Sequence, residues 1–215
     1  FQPYAPSKGA QAAFIMGKLE HADGYFAMQL PTDPINTIAQ SRSGMGKSSE
    51  TYLVGEVDGT TSYRSDRVVK KGKIGGKKSG SDIKLALAGK SGIRIKTGSS
   101  GDVELVAYSP VGIPGLNWVS ITSGRLEDVL AVKKEGDKQD YFAKYIEKYG
   151  YYDLFLIHPE GRVFYSVTKE ADYNTNMVNG KYKDSGLGKL VRRVLQSGRY
   201  GVVDFTPYAP SNGDP

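Results

Sequence analysis

The residues best suited to recognition lie in one polar, aromatic stretch of the C-terminal third: Tyr165, Asp172, Tyr173, Asn174, Asn176 and Tyr182, then Asp184. Tyrosines supply flat walls with a hydroxyl at the tip, while a carboxylate and side-chain amides orient a polar ligand. Asp172 or Asp184 could pair with an ammonium group. Structural duties compete for some of these positions. Asp184 precedes a predicted helix and suits its N-cap, and Tyr165 and Tyr182 suit core packing as well as binding. A second set, Tyr63, Arg64 and Asp66 with Tyr108 on a later strand, occupies the same relative place in the middle of the chain. Arg64 could clamp a carboxylate through two parallel N–H bonds, or pair internally with Asp66 or Glu50. Leu116, Trp118 and Val119 read as core.

Covalent and acid–base chemistry find little support. The two histidines, His21 and His158, fall in predicted hairpin turns without an acidic or histidine partner at metal-ligand spacing. No Ser–His–Asp relay assembles. With no cysteine there is no disulfide framework, thiolate nucleophile or thiolate metal site. The run Gly44-Met-Gly-Lys-Ser48 resembles a phosphate loop, but that pattern needs a glycine where Ser41 stands, with a strand before it and a helix after. A turn between helix and hairpin is the expectation there. The reading is non-catalytic, with no metal and no cofactor.

The middle of the chain predicts a hairpin over 51–55 and 61–65, then a helix started by Ser81-Asp82 and stopped at Gly89. Three strands follow over 92–97, 103–109 and 116–122. The C-terminal third begins the same order. Residues 153–157 and 162–167 form a hairpin, and Asp184-Ser185 opens a helix with the stripe Leu187, Leu190, Val191, Val194 and Leu195. Residues 199–205 make one strand, two short of the pattern. Two further short apolar runs, 12–18 and 24–30, stand at the other end of the chain. Helical connections are expected over 33–39 and 126–149, the second broken by Lys133-Lys-Glu-Gly-Asp137.

The expected fold is therefore α+β, with two modules. One combines 1–31 with 143–215, the other spans 36–130, and 131–142 links them. The heptapeptide Phe1-Gln-Pro-Tyr-Ala-Pro-Ser7 returns as Phe205-Thr-Pro-Tyr-Ala-Pro-Ser211. An internal repeat of this kind points to a circular permutation or to one register of a tandem array. A homodimer or strand-swapped dimer competes with closure inside one chain.

The net charge of +6 is concentrated in 36–130, where 14 Lys and Arg face 9 Asp and Glu. The Gly-, Ser- and Lys-rich stretch 70–82 reads as a solvated loop. No aromatic residue interleaves its lysines, so nucleic acid is not expected as a partner. No apolar run reaches the roughly 18 residues of a membrane span, and no signal peptide opens the chain.

Several segments resemble the double Cache sensors, the paired PAS-like ectodomains of bacterial chemoreceptors and transmembrane kinases. They are Tyr-Gly-Tyr-Tyr-Asp-Leu-Phe-Leu-Ile-His-Pro-Glu-Gly (149–161), Lys-Glu-Ala-Asp-Tyr-Asn-Thr-Asn (169–176), Tyr-Lys-Asp-Ser-Gly-Leu (182–187) and Val-Asp-Phe-Thr-Pro-Tyr-Ala-Pro-Ser (203–211). Ser-Glu-Thr-Tyr-Leu-Val-Gly (49–55) and Tyr-Arg-Ser-Asp (63–66) belong with them. The resemblance implies a periplasmic or extracellular domain of an inner-membrane receptor that binds a small molecule of amino acid, amine or carboxylate class. It also implies that the split module is the membrane-distal one and 36–130 the membrane-proximal one. The alternative from another class is a structural or adhesive repeat of an extracellular array.

Overall fold

The computed structural model describes residues 2–214. Contacts divide the chain into two compact units, 1–94 with 105–124 and 95–104 with 125–215. The fold is α+β, as expected. No described helix is long and apolar enough to cross a membrane.

The first unit opens with strands β1 (Gln2–Tyr4), β2 (Ala10–Lys18) and β3 (Tyr25–Leu30), which form an antiparallel three-stranded sheet in that order. Helix α1 (Asp33–Ala39) follows and packs against β4 (Glu50–Val57), which forms a hairpin with β5 (Thr60–Tyr63). The Gly44–Ser48 run is a pair of turns, as the order of elements demands, and Arg42 holds it by donating to the carbonyls of Gly46 and Ser49. Next come helix α2 (Ser81–Leu87) and strands β6 (Gly92–Thr97), β7 (Val103–Pro110) and β8 (Trp118–Arg125). The sheet order is β5-β4-β8-β7-β6, so the last strand lies beside the first. Alternation along β4 and β8 turns Tyr52, Val54, Val119 and Ile121 to one face. The register sets Val54 opposite Val119 and Tyr52 opposite Ile121. Ile83 and Ala86 of α2 cover that face. Burying a side chain of this kind contributes about 1.5–3 kcal/mol.

In the second unit, helices α3 (Leu126–Leu130) and α4 (Tyr141–Tyr149) are separated at the charged, glycine-containing stretch. Asp140 caps α4 by accepting from the Ala143 N–H at 3.0 Å, and Gly150, at φ 71°, ends it. Strands β9 (Phe155–Ile157) and β10 (Val163–Ser166) pair antiparallel as a two-stranded sheet. Helix α5 (Gly186–Ser197) packs Val191 and Leu187 against Val163, Met177 and Tyr182.

Three expectations need correction. Residues 199–205 form no strand, and Tyr200 and Phe205 are 92% and 85% exposed; no strand of the unit lies alongside to complete a ladder. Helix α5 is capped by Ser185, which accepts from the Gly188 N–H at 3.1 Å, while Asp184 is exposed. Helix α2 has Gly80 at its N-cap, so Ser81 and Asp82 stand in its first turn, where Asp82 is buried beside Arg94 at 3.3 Å. Residues 1–31 make their contacts within the first unit. A short connection joins β3 to α1, and the Gln11 side chain lies against Gly75.

Candidate ligand-binding site

Asp153 organises the way into and out of the β9–β10 hairpin. Its Oδ1 accepts from the Val167 N–H at 2.8 Å, and its Oδ2 from the hydroxyls of Ser166 and Thr168 at 2.8 and 2.7 Å. The crossing loop that follows is stitched to β10 through the backbone: Asn174 N–H donates to Val163 O, and Val163 N–H to Thr175 O. This folds Asp172 inward, where it is fully buried.

The repeated peptide closes over that carboxylate. Tyr208 donates its hydroxyl to Asp172 Oδ2 at 2.5 Å, and Ser211 donates to Glu170 Oε2 at 2.7 Å. Tyr152 donates to the other oxygen of Glu170 at 2.5 Å. Asp172 Oδ1 is buried with no hydrogen-bond partner. Burial raises the Asp172 carboxyl above the usual carboxylate range, although the Tyr208 bond pulls it down. Burial, with the hydrogen bond to Asp172, pushes the Tyr208 phenol upward, so the proton stays on tyrosine.

Tyr208 also lines a cavity of about 410 Å³ beside the hairpin and α5. Phe155, Leu187, Leu190 and Val203 form its apolar wall. Asp153, Ser211 and Asp214 add polar groups, and Tyr151 and Tyr152 complete the aromatic side. An apolar enclosure with a few convergent polar groups is what a small polar ligand requires.

Tyr165, Tyr173, Asn176 and Tyr182 have structural partners within this unit. Tyr165 is buried and donates to Asp140 Oδ1 at 2.8 Å; burial and that bond raise its phenol. Tyr173 donates to Glu127 Oε2 at 2.5 Å, and Lys169 pairs with the same carboxylate. Asn176 shapes a turn, accepting from the N–H groups of Val178 and Asn179 while donating to Glu160 O. Tyr182 packs in the core. Of the predicted set, Asp172 alone touches a residue that lines the cavity through a hydrogen bond given above. Tyr208, Ser211 and Tyr152 were missed as site residues, although the duplicated Pro-Tyr-Ala-Pro-Ser signalled the first two.

In the first unit the predicted residues are engaged with neighbouring groups. Arg64 is 1% exposed and donates to Ser62 Oγ at 2.6 Å and to the carbonyls of Ser62 and Tyr63. It pairs with neither Asp66 nor Glu50. Gly55 makes room for it, since a Cβ there would stand 2.7 Å from Arg64 Nε. Asp66 accepts from Lys73 Nζ at 2.8 Å and from the Ile74 N–H at 2.9 Å. Tyr63 belongs to the buried core cluster, and Tyr108 packs against that cluster. Arg67 takes Glu50 at 2.5 Å and stacks over Tyr52, 4.3 Å from the ring centre.

Comparison with known proteins yields one solved structure. It is the ligand-binding domain of the amino acid chemoreceptor PctB from Pseudomonas aeruginosa PAO1, in complex with L-Gln. The present chain is similar to that domain. Identity is 20%, the TM-score is 0.39, and the match covers 69% of this chain and 57% of the other, so the chain spans little more than half of its length. No family model and no curated protein matches.

Proposed function

We propose that the chain is an extracytoplasmic small-molecule-sensing domain of a bacterial receptor, binding its ligand without chemistry in the second unit. The observation that carries this reading is the 410 Å³ cavity with an apolar wall and the Tyr208 hydroxyl held by buried Asp172. Asp153 and Asp214 at the same cavity favour a ligand bearing an ammonium group, an amine or an amino acid. The apolar wall takes its aliphatic part. Occupancy would bias the pose of the hairpin, the 199–211 segment and α5, and a receptor would read that bias as a population shift.

A thermal-shift screen against amines, amino acids and carboxylates tests this directly. A ligand at 100 times its dissociation constant stabilises by about 2.7 kcal/mol. The expected hit carries an amine and loses affinity in Leu190→Lys, which places a like charge on the apolar wall. A hit that leaves Leu190→Lys with full affinity would place the ligand elsewhere, and a screen without any hit would count against a sensor of these classes.

A further inference from the structure

We infer that the ligand is an aliphatic diamine, cationic at both ends and without a carboxylate, which rests on the cavity of the second unit being the sensing site. Asp153, Asp204 and Asp214 line that cavity, and its described lining includes no lysine, arginine or histidine. A ligand with a single ammonium group would leave most of this negative charge unmatched. A free amino acid would add a further carboxylate to it. Charges taken out of water are compensated only when they are paired.

The lining hydroxyls sharpen the preference. Tyr208 donates its proton to Asp172 Oδ2, and Tyr152 and Ser211 donate theirs to the two oxygens of Glu170. Each of these oxygens therefore has lone pairs, and no proton, left for a ligand. Tyr151 and Thr206 are the other lining hydroxyls. An ammonium group only donates and matches such acceptors, whereas a carboxylate only accepts and does not. The start of α5 reaches the cavity at Gly186, and a helix favours an anion at that end. Ser185 already accepts from the Gly188 N–H there, and a Cβ on Gly186 would stand 2.8 Å from Thr206 Oγ1.

The carboxylates suit a molecule with two cationic ends. Asp153 is half-buried at the entrance of the hairpin, while Asp204 and Asp214 are exposed on the segment that follows α5. One ammonium group is met inside and the other at the mouth. The wall of Leu187, Leu190 and Val203 takes the methylene spacer. Phe155, Phe205 and the lining tyrosines add aromatic rings, whose faces attract cations. Neighbouring groups register the same negative field. Burial raises the Asp172 carboxyl, and the Asp153 and Glu170 charges add in the same sense. The Tyr152 phenol is raised by its bond to Glu170, with Asp214 adding to it.

Isothermal titration calorimetry of the whole chain with three probes tests this. They are putrescine, butylamine (putrescine without its second amine) and ornithine (putrescine carrying a carboxylate). Putrescine should bind about tenfold tighter than either of the others. Asp204→Asn and Asp214→Asn, at exposed positions that spare the fold, should each weaken putrescine about threefold. Asp184→Asn, exposed in the same unit and outside the cavity lining, should leave its affinity unchanged. Ornithine or butylamine binding as tightly as putrescine would overturn the inference, as would a putrescine affinity indifferent to both cavity asparagines. If none of the three binds while another compound does and is lost in Leu190→Lys, the cavity stays the sensing site and the diamine assignment falls. A chain that binds no compound at all would remove both.

Discussion

At the scale of single residues, two buried carboxylates behave in opposite ways. Asp172 has one oxygen held by Tyr208 and one with no partner, and burial raises its pKa. Glu50 is also fully buried, and burial alone would raise it too. The N–H groups of Val68, Val69 and Lys70 and the Arg67 guanidinium outweigh that and hold it below the usual range. The signs of linkage follow. Glu50 stabilises the fold above its unfolded value near 4.5 and loses that contribution as pH falls. Asp172 favours the fold below its unfolded value near 3.8 and loses that contribution as pH rises through its raised folded value. In urea titrations at several pH values, Glu50→Gln should cost about 3–5 kcal/mol at pH ~7, because Arg67 is left buried without its charge partner. Its deficit should shrink in acid; a deficit constant with pH would contradict the assignment. The difference between Asp172→Asn and the parent should instead move in the variant's favour as pH rises from about 4 to neutrality. Tyr208→Phe leaves the buried carboxylate without a donor and should cost about 3 kcal/mol. A loss within about 0.5 kcal/mol would mean the hydroxyl is replaced by water there.

At the scale of elements, helix α5 shows how local rules and packing divide the outcome. Ser185→Ala removes a cap and should cost about 1 kcal/mol. Gly188→Ala would raise intrinsic helix propensity by about 0.8–1 kcal/mol. A Cβ at that position, however, would stand 2.5 Å from the carbonyl oxygens of Tyr182 and Lys183. The alanine should therefore be the more damaging of the two changes; a stabilised Gly188→Ala protein would show that the loop yields freely. Thermal melts followed by circular dichroism decide between these outcomes. The stripe of α5, the two hairpins and strand β6 were all legible in the sequence because each follows from a period of 3.6 or 2. The segment 199–205 is apolar enough to be read as a strand and forms none. A period reports which faces are apolar, and a strand also needs a partner to accept its hydrogen bonds.

At the scale of the whole molecule, the two units should respond separately to their own core changes. Hydrogen exchange on Glu50→Gln should show faster exchange through β4, β5 and the Val106–Tyr108 part of β7, with amides of α5 and β10 close to the parent. Equal acceleration everywhere would mean that the units open together. The α+β class, the repeated hairpin–helix order and the duplicated terminal peptide needed no coordinates, since they rest on composition, periodicity and identity between short peptides. The residues that hold the cavity did need them. Nothing local marks Tyr208 as the partner of Asp172 or Ser211 as the partner of Glu170, because those pairs meet across 36 and 41 positions. Nor does spacing reveal that Arg67, and not Arg64, neutralises Glu50. That choice is made by Gly55 opening a slot for Arg64 and by a loop that aims three N–H groups at one carboxylate. Periodicity is a property of neighbours along the chain, whereas burial and charge pairing are settled only when distant segments exclude water together.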